Sequence, residues 1–495
     1  MDDGTRPQNF IIATLLLFLI LILWQYLFFK NAPQKTQQTQ QSAVVKTQDS
    51  LKSQSELESH LGVEAPSIDI LFKVETPLYS ATFSTDGGLI SYKIKKVGTL
   101  NDIELLENGT IAWGEQNIRY NTTPSTYNLE VKSSPVTVTL LSEDGTVSKT
   151  LTFYPDKYLY DVKLSGSTEP ITYFKGKLKF TQKNLKQETP LYSYLLRLKN
   201  TVKIPVAKLK EKRKYELSEV TWFGVRTKYF FTGVLNLKNP GKLAISEDEI
   251  LFATNSKSFI VYFGPLDYNI LKKNHPSLAS AFDFGSTIIK PFSFLIYILM
   301  QLLHKFLPNY GLVIIVFALL MKIAFFPLTR KQIIAAKRMQ ELKPKLETLQ
   351  KVYKDNPQKL QQEMMELYKK YNVNPFSGCL TLIIQMPIFF ALYQILTNSI
   401  SLKGAPFILW IKDLSEKDPY YILPILMGVT SIILSSIQQA ATDPQSKMLM
   451  YMMPVLFVII FISLPSGIVL YWLTFNILGI LEALLIKRLE GRHGT

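Results

Sequence analysis

Residues Gly311 to Thr329 read GLVIIVFALLMKIAFFPLT, an apolar run interrupted by one lysine, Lys322. At ~1.5 Å per residue a helix over this run spans roughly 27 Å, close to the about 30 Å of a bilayer's hydrocarbon core. The stretch is expected to be a membrane helix, with Lys322 roughly 16 Å from one end and about 10 Å from the other. An ammonium at that depth needs water, a partner or a head-group within reach. Either it snorkels, lifting its charge toward Thr329 and Arg330, or it lines a wet, one-sided cavity inside the membrane.

Outward from this run the composition is that of a membrane protein. Of 495 residues 47% are hydrophobic, the mean hydropathy is +0.11, and several apolar runs approach spanning length. The formal charge of +16 does not point to nucleic-acid recognition. The basic residues cluster beside apolar runs, where they set topology and attract anionic lipid or RNA-rich partners. Cys379 is the one cysteine, which excludes an intramolecular disulfide and a cysteine-based metal cluster.

Taken in order, residues 1–30 hold the apolar run Phe10 to Phe29 with no small-residue cleavage site after it, which predicts an uncleaved N-terminal signal-anchor helix. Residues 31–66 are rich in Gln, Ser, Thr and Lys and read as a flexible linker. Residues 67–275 change to short alternating segments broken by turn signals, the mark of a large antiparallel β-sandwich. Asp86-Gly87-Gly88 and Glu143-Asp144-Gly145 are its clearest hairpin cues. Residues 276–308 predict an amphipathic helix lying in the interface, with a further span as the alternative because Phe292 to Leu303 is apolar but short.

The membrane helix at 309–329 is followed by a polar segment, 330–373, that Asn356-Pro357 divides into a helical hairpin. It carries eleven basic against five acidic residues, which places it in the cytoplasm. It either only fixes topology or docks a cytosolic partner through residues such as Lys337, Arg338, Lys343 and Lys345. Four more spans are expected at 374–400, 420–437, 448–464 and 465–487. Residues 401–419 rest at the opposite interface, 438–447 return to the basic side, and 488–495 form a basic tail. The fold class is thus a multi-domain membrane protein. Five core transmembrane helices form an α-helical bundle, joined by an N-terminal transmembrane anchor and a large extracytoplasmic β-sandwich, with both termini inside.

Few other polar groups lie within the spans. Gln385 stands just before Pro387; Trp472, Asn476 and Gly479 fall at i, i+4 and i+7 on one helix face beside Tyr471; Thr430, Ser431, Ser435 and Ser436 mark the span at 420–437. Each alone reads as helix-packing glue, and together with an intramembrane lysine they read as a hydrophilic site. Acidic residues are nearly absent, Glu482 standing near the end of the last span, so a proton or cation relay is poorly supported. His60, His275, His304 and His493 form no H-E-x-x-H, and no G-x-S-x-G or phosphate loop occurs. No enzymatic activity, cofactor or metal is expected.

The ordered stretches Asn309-Tyr310-Gly311, Lys322 with Phe326-Pro327-Leu328, Met339 to Leu346, Gln385-Met386-Pro387, Trp410 to Ser415, Asp418-Pro419-Tyr420, Leu423 to Gly428, Pro465-Ser466-Gly467 and Leu470-Tyr471-Trp472 resemble the YidC-type membrane protein insertases of bacterial inner membranes. The likeness is continuous from about Phe282 to Ile486, and Trp222-Phe223-Gly224 and Lys228-Tyr229-Phe230 extend it into the β domain. The large domain resembles the Gram-negative form, in which it is periplasmic. The resemblance implies five core helices around a hydrophilic groove open to cytoplasm and lipid and closed to the periplasm. Lys322, Gln385, Tyr471, Trp472 and Asn476 would line it. Lys322 stands where many relatives carry arginine, and Ala318 where some carry a polar residue. The implied partners are nascent membrane proteins, the Sec translocon, and the ribosome or the signal recognition pathway. The competing class is a transporter or channel with an extracytoplasmic binding domain, against which the sequence shows no internal repeat.

Overall fold

The computed structural model describes residues 69–492 except 107–117, 124–126, 167–177, 180–187, 210–212, 218–219, 238–240, 246–249, 255, 355, 372–376 and 439–443. The expected signal-anchor at 1–30 and linker at 31–66 lie outside the described residues. The chain divides into two compact units, Met1–Ser286 and Thr287–Thr495.

The first unit is built of strands. In chain order they are β1 (Ile70–Glu75), β2 (Tyr79–Ser84), β3 (Leu89–Val97), β4 (Leu100–Glu104), β5 (Tyr120–Thr123), β6 (Asn128–Glu130), β7 (Val136–Ser142), β8 (Ser148–Phe153), β9 (Leu159–Ser165), β10 (Ser193–Arg197), β11 (Thr201–Pro205), β12 (Arg213–Leu217), β13 (Trp222–Arg226), β14 (Phe230–Leu235), β15 (Gly241–Ile245), β16 (Ile250–Thr254) and β17 (Ser258–Pro265). They form a five-stranded sheet β4-β3-β2-β1-β6, a nine-stranded sheet β11-β10-β13-β14-β17-β9-β8-β7-β5 and a three-stranded sheet β12-β15-β16. All neighbours pair antiparallel except β1 with β6.

The turn cues sit where the strands reverse. Gly87, at φ 70°, and Gly145, at φ 73°, supply the left-handed residue that links β2 to β3 and β7 to β8. Alternation then sorts the side chains: along β8 the odd-numbered residues Lys149, Leu151 and Phe153 are buried and their neighbours half-buried. Phe83 of the five-stranded sheet meets Phe153 at 5.8 Å and Tyr160 at 6.1 Å, and Tyr92 stacks on Phe263 at 5.0 Å. Two sheets therefore share one aromatic core, the sandwich-like packing that the alternation predicts. A short helix, α1 (Tyr268–Asn274), follows the last strand with Asp267 as its N-cap.

The second unit is helical: α2 (Lys290–Phe306), α3 (Tyr310–Val352), α4 (Pro357–Lys370), α5 (Ser377–Asn398), α6 (Ile422–Gln438), α7 (Pro444–Phe461) and α8 (Ser466–Arg492). Asn309 starts α3, its Oδ1 accepting from the amides of Gly311 at 2.8 Å and Leu312 at 3.3 Å. The helix then runs for 43 residues with Pro327 and Pro344 inside it, so the membrane run and the first arm of the basic segment are one continuous helix. A change from apolar to basic side chains does not stop a helix when Arg, Lys and Gln favour that conformation. Asn356 caps α4, accepting from the Lys359 amide at 3.1 Å, with Pro357 at the first helical position. Likewise α8 continues to Arg492, past the expected end of the last span.

Among the described residues, two helices, Tyr310–Val352 and Ser466–Leu489, are long and apolar enough to cross a membrane, and Ile422–Ile437 and Tyr451–Phe461 are shorter apolar helices. Their exteriors carry Ile323, Val429, Ile459 and Leu485, all exposed, while Phe317, Leu392, Met427 and Tyr471 are buried between them. Apolar side chains on both the inside and the outside are what a helical bundle dissolved in lipid requires.

The loop between α5 and α6 is fixed by its own polar groups. Lys403 reaches Glu416 at 2.6 Å and Asp413 at 3.4 Å, and Asp418 accepts from Trp410 Nε1 at 3.0 Å and from the Leu423 amide at 2.7 Å, at the start of α6. Ser466 Oγ donates to the Glu416 carbonyl at 2.7 Å, tying the loop to the start of α8. Gly311 packs against this loop so closely that a Cβ there would lie 2.0 Å from the Phe407 ring.

Candidate functional site

Lys322 is buried on α3, and its ammonium is met by a carboxylate. Lys322 Nζ donates to Glu482 Oε2 of α8 at 3.3 Å. The same nitrogen lies 4.1 Å from the centroid of the Phe475 ring, and a Cβ built on Gly479 would stand 2.8 Å from it. Phe475, Gly479 and Glu482 recur at i, i+4 and i+7, so one face of α8 offers an aromatic surface, a gap and a negative charge in sequence. The side chain is directed across to α8 rather than along α3 toward Arg330, which answers the snorkelling alternative.

Sequence reasoning left Glu482 near a terminus and so missed it. A signal was available in depth. Lys322 precedes Arg330 by about two turns and Glu482 precedes Lys487 by between one and two, so the two charges lie at similar distances from the basic side.

The other expected residues form separate contacts rather than one cluster. Gln385 Nε2 donates to Tyr471 Oη at 3.0 Å, joining α5 to α8. Tyr471 is fully buried and its ring lies 5.7 Å from Phe317. Asn476 Nδ2 donates to Ser431 Oγ at 2.7 Å and lies 3.3 Å from the Met427 carbonyl, joining α8 to α6. Trp472 is half-buried among Phe389 at 5.6 Å, Phe461 at 5.4 Å and Phe457 at 6.1 Å. Ala318 is buried one turn before Lys322 and adds no polarity there. Each of these contacts has one partner on α8, reaching α5, α6, α7 or, through Phe317, α3, so α8 is the element on which the polar interior is assembled.

Residues 302–492 match the family model described as 60Kd inner membrane protein, and residues 71–249 match the model of the YidC periplasmic domain. A membrane protein insertase YidC from Helicobacter pylori is 32% identical over 99% of this chain and 97% of its own length. The chain belongs to the YidC family of membrane protein insertases. A YidC from Wolinella succinogenes is 30% identical over 99% of this chain and 97% of its own. A crystal structure of an active YidC insertase with its first transmembrane domain resolved covers 87% of this chain and 97% of that one, at 19% identity and a TM-score of 0.39. The assignment stands on the full-length relatives.

Within this YidC-family chain, the β unit at 70–265 carries the periplasmic-domain match and the helical unit carries the inner-membrane match. The basic residues singled out for docking all lie on the polar half of α3. Lys337, Arg338 and Lys345 are exposed and Lys343 half-exposed. Lys343 approaches Glu347 at 4.0 Å, and Lys345 contacts the Tyr371 hydroxyl from 4.3 Å above its ring. Beneath them Met339, Leu342 and Leu346 pack on Met364, Leu367 and Tyr368 of α4, which holds the two helices side by side.

Proposed function

We propose that the chain integrates newly made inner-membrane proteins through a one-sided hydrophilic groove among five core spans, drawn from α3, α5, α6, α7 and α8, with an N-terminal anchor as a sixth. A hydrophilic segment crossing hydrocarbon leaves polar groups unpaired at several kcal/mol each. A groove that reaches part-way across shortens that path, and Lys322 attracts acidic side chains of the passing segment while the client's apolar helix leaves sideways into lipid. Gln385, Tyr471, Trp472 and Asn476 line and hold the walls. No nucleotide and no covalent step is required.

The basic surface of α3 and α4, with Lys337, Arg338, Lys343 and Lys345, faces the cytoplasm and docks ribosomes or targeting factors. It also favours anionic lipid. The termini are cytoplasmic, the β domain is periplasmic, and the insertase works alone or beside the Sec translocon. The observation that supports this reading is a lysine kept at membrane depth with a charged partner, a costly arrangement in a purely structural helix.

The test is complementation of cells depleted of their own insertase. Lys322→Ala and Lys322→Glu are expected to fail to insert small proteins with acidic translocated ends, and Lys322→Arg to sustain growth; normal growth on Lys322→Glu would sink the proposal. Solute flux through proteoliposomes, without substrate integration, would favour a channel instead.

A further inference from the structure

The groove reading uses Lys322 and leaves Glu482 unexplained. The two side chains are each 8% exposed, and the pair is poorly completed: Oε2 takes the ammonium, whereas Glu482 Oε1 is buried with no hydrogen-bond partner among the described residues. A carboxylate buried with one oxygen unpaired is an expensive way to join two helices. Around it α8 makes room for an ammonium, by the Phe475 ring at 4.1 Å and by Gly479, whose missing Cβ would stand 2.8 Å from Lys322 Nζ.

We infer that Glu482 is a resident counter-ion of Lys322, which an acidic residue of the passing segment must displace, so that Glu482 sets how much negative charge a client needs. This rests on the groove reading above. A carboxylate arriving by exchange gains only the difference between its own contact with the ammonium and the one it replaces. A neutral segment gains nothing and leaves the pair closed. An acidic one replaces like with like at the ammonium and so can open the pair.

The test uses full-length protein in membranes and stalled nascent chains of a single-span client. The client's short translocated tail carries either one aspartate or none, beside a photo-crosslinker. Glu482→Gln, nearly isosteric, is expected to raise the crosslink yield of the one-aspartate tail on the order of fivefold, the factor that ~1 kcal/mol of lost competition gives. The uncharged tail is expected to stay unchanged, and Lys322→Ala/Glu482→Gln to abolish the gain. Equal changes for both tails, or no gain, overturn the inference. If Lys322→Ala alone crosslinks the acidic tail as the wild type does, the groove reading fails. If Lys322→Ala loses the acidic tail while Glu482→Gln gains nothing, only the counter-ion role fails. Should Glu482→Gln not accumulate, the swap Lys322→Glu/Glu482→Lys is read instead. It is expected to accumulate and to lose its preference for acidic tails; a retained preference overturns the inference equally.

Discussion

Gln385 and Tyr471 hydrogen-bond across α5 and α8, Nε2 to Oη at 3.0 Å, with both side chains buried. Tyr471→Phe keeps the ring against Phe317 and Phe475 and removes only the acceptor, stranding the Gln385 amide. We expect a loss of about 1 kcal/mol, within the range of interhelical hydrogen bonds in membranes. Tyr471→Phe/Gln385→Leu should recover most of it, because neither side then strands a polar group. Denaturation in detergent micelles checks this, and a double variant less stable than Tyr471→Phe would contradict it.

Asn476 joins α8 to α6 through Ser431, which itself donates to the Met427 carbonyl at 2.7 Å. Ser431→Ala leaves Asn476 the Met427 carbonyl at 3.3 Å and Thr430 Oγ1 at 3.4 Å, whereas Asn476→Ala removes all three contacts. Asn476→Ala is therefore expected to be the more destabilising, with a coupling energy between the two of about 0.6 kcal/mol. A double-mutant cycle measures it directly, and additive effects would show that the bond adds nothing to the helix contact.

How far the sequence carries the structure depends on whether a feature is local. The hairpins at Gly87 and Gly145 follow from a left-handed residue between alternating strands, and the caps at Asn309 and Asn356 follow from side chains that bond amides a few residues on. Both are legible because cause and effect sit in one short window. The continuity of α3 past Thr329 was not, because hydropathy marks where solvent changes and not where hydrogen bonding stops. Glu482 was hidden for the opposite reason: it meets a residue 160 positions away. Only depth in the bilayer, counted from the basic end of each helix, relates the two. The same holds for Ser431 and Asn476, which look like isolated glue until α6 and α8 are placed side by side.

In the β domain Asp283 lies 3.3 Å from Lys203 and 4.0 Å from the buried Arg226. Burial pushes its carboxyl up, but Lys203 and Arg226 together pull it further down, so it stays below the ordinary carboxylate value. A carboxyl lowered in the folded chain stabilises it fully above its unfolded pKa of about 3.9, and that contribution fades as pH falls through the lower folded value. Asp283→Asn should thus cost about 1–3 kcal/mol at neutral pH, the buried-pair range discounted because Asp283 is partly exposed. In acid below the lowered folded value the wild type is protonated too, so the difference there should be smaller than at neutral pH. Unfolding of the β domain in the full chain, followed at both pH values, checks this; an equal gap at both would refute it.

Gly224 of β13 stands opposite Gly233 of β14, and the ring of Phe231 covers both. A Cβ at Gly224 would lie 2.4 Å from Phe231 Cζ and 2.3 Å from the Thr232 carbonyl oxygen, and one at Gly233 would lie 2.8 Å from the same ring. Trp222 at 5.5 Å and Tyr262 at 6.0 Å pack on the same ring and restrict where it can move. Covering bare strand glycines with an aromatic side chain restores the packing they lack. Gly224→Ala therefore forces either the ring or the backbone to move and is expected to destabilise the β domain by about 1–3 kcal/mol. Phe231→Ala should cost about 3–5 kcal/mol through the cavity it opens. Because Phe231→Ala removes the ring that Gly224→Ala strikes, the double variant should cost less than the sum of the two. Thermal unfolding of the three variants decides it. A strictly additive result would mean that the collision with the Thr232 carbonyl, and not the ring, is why glycine is required at 224.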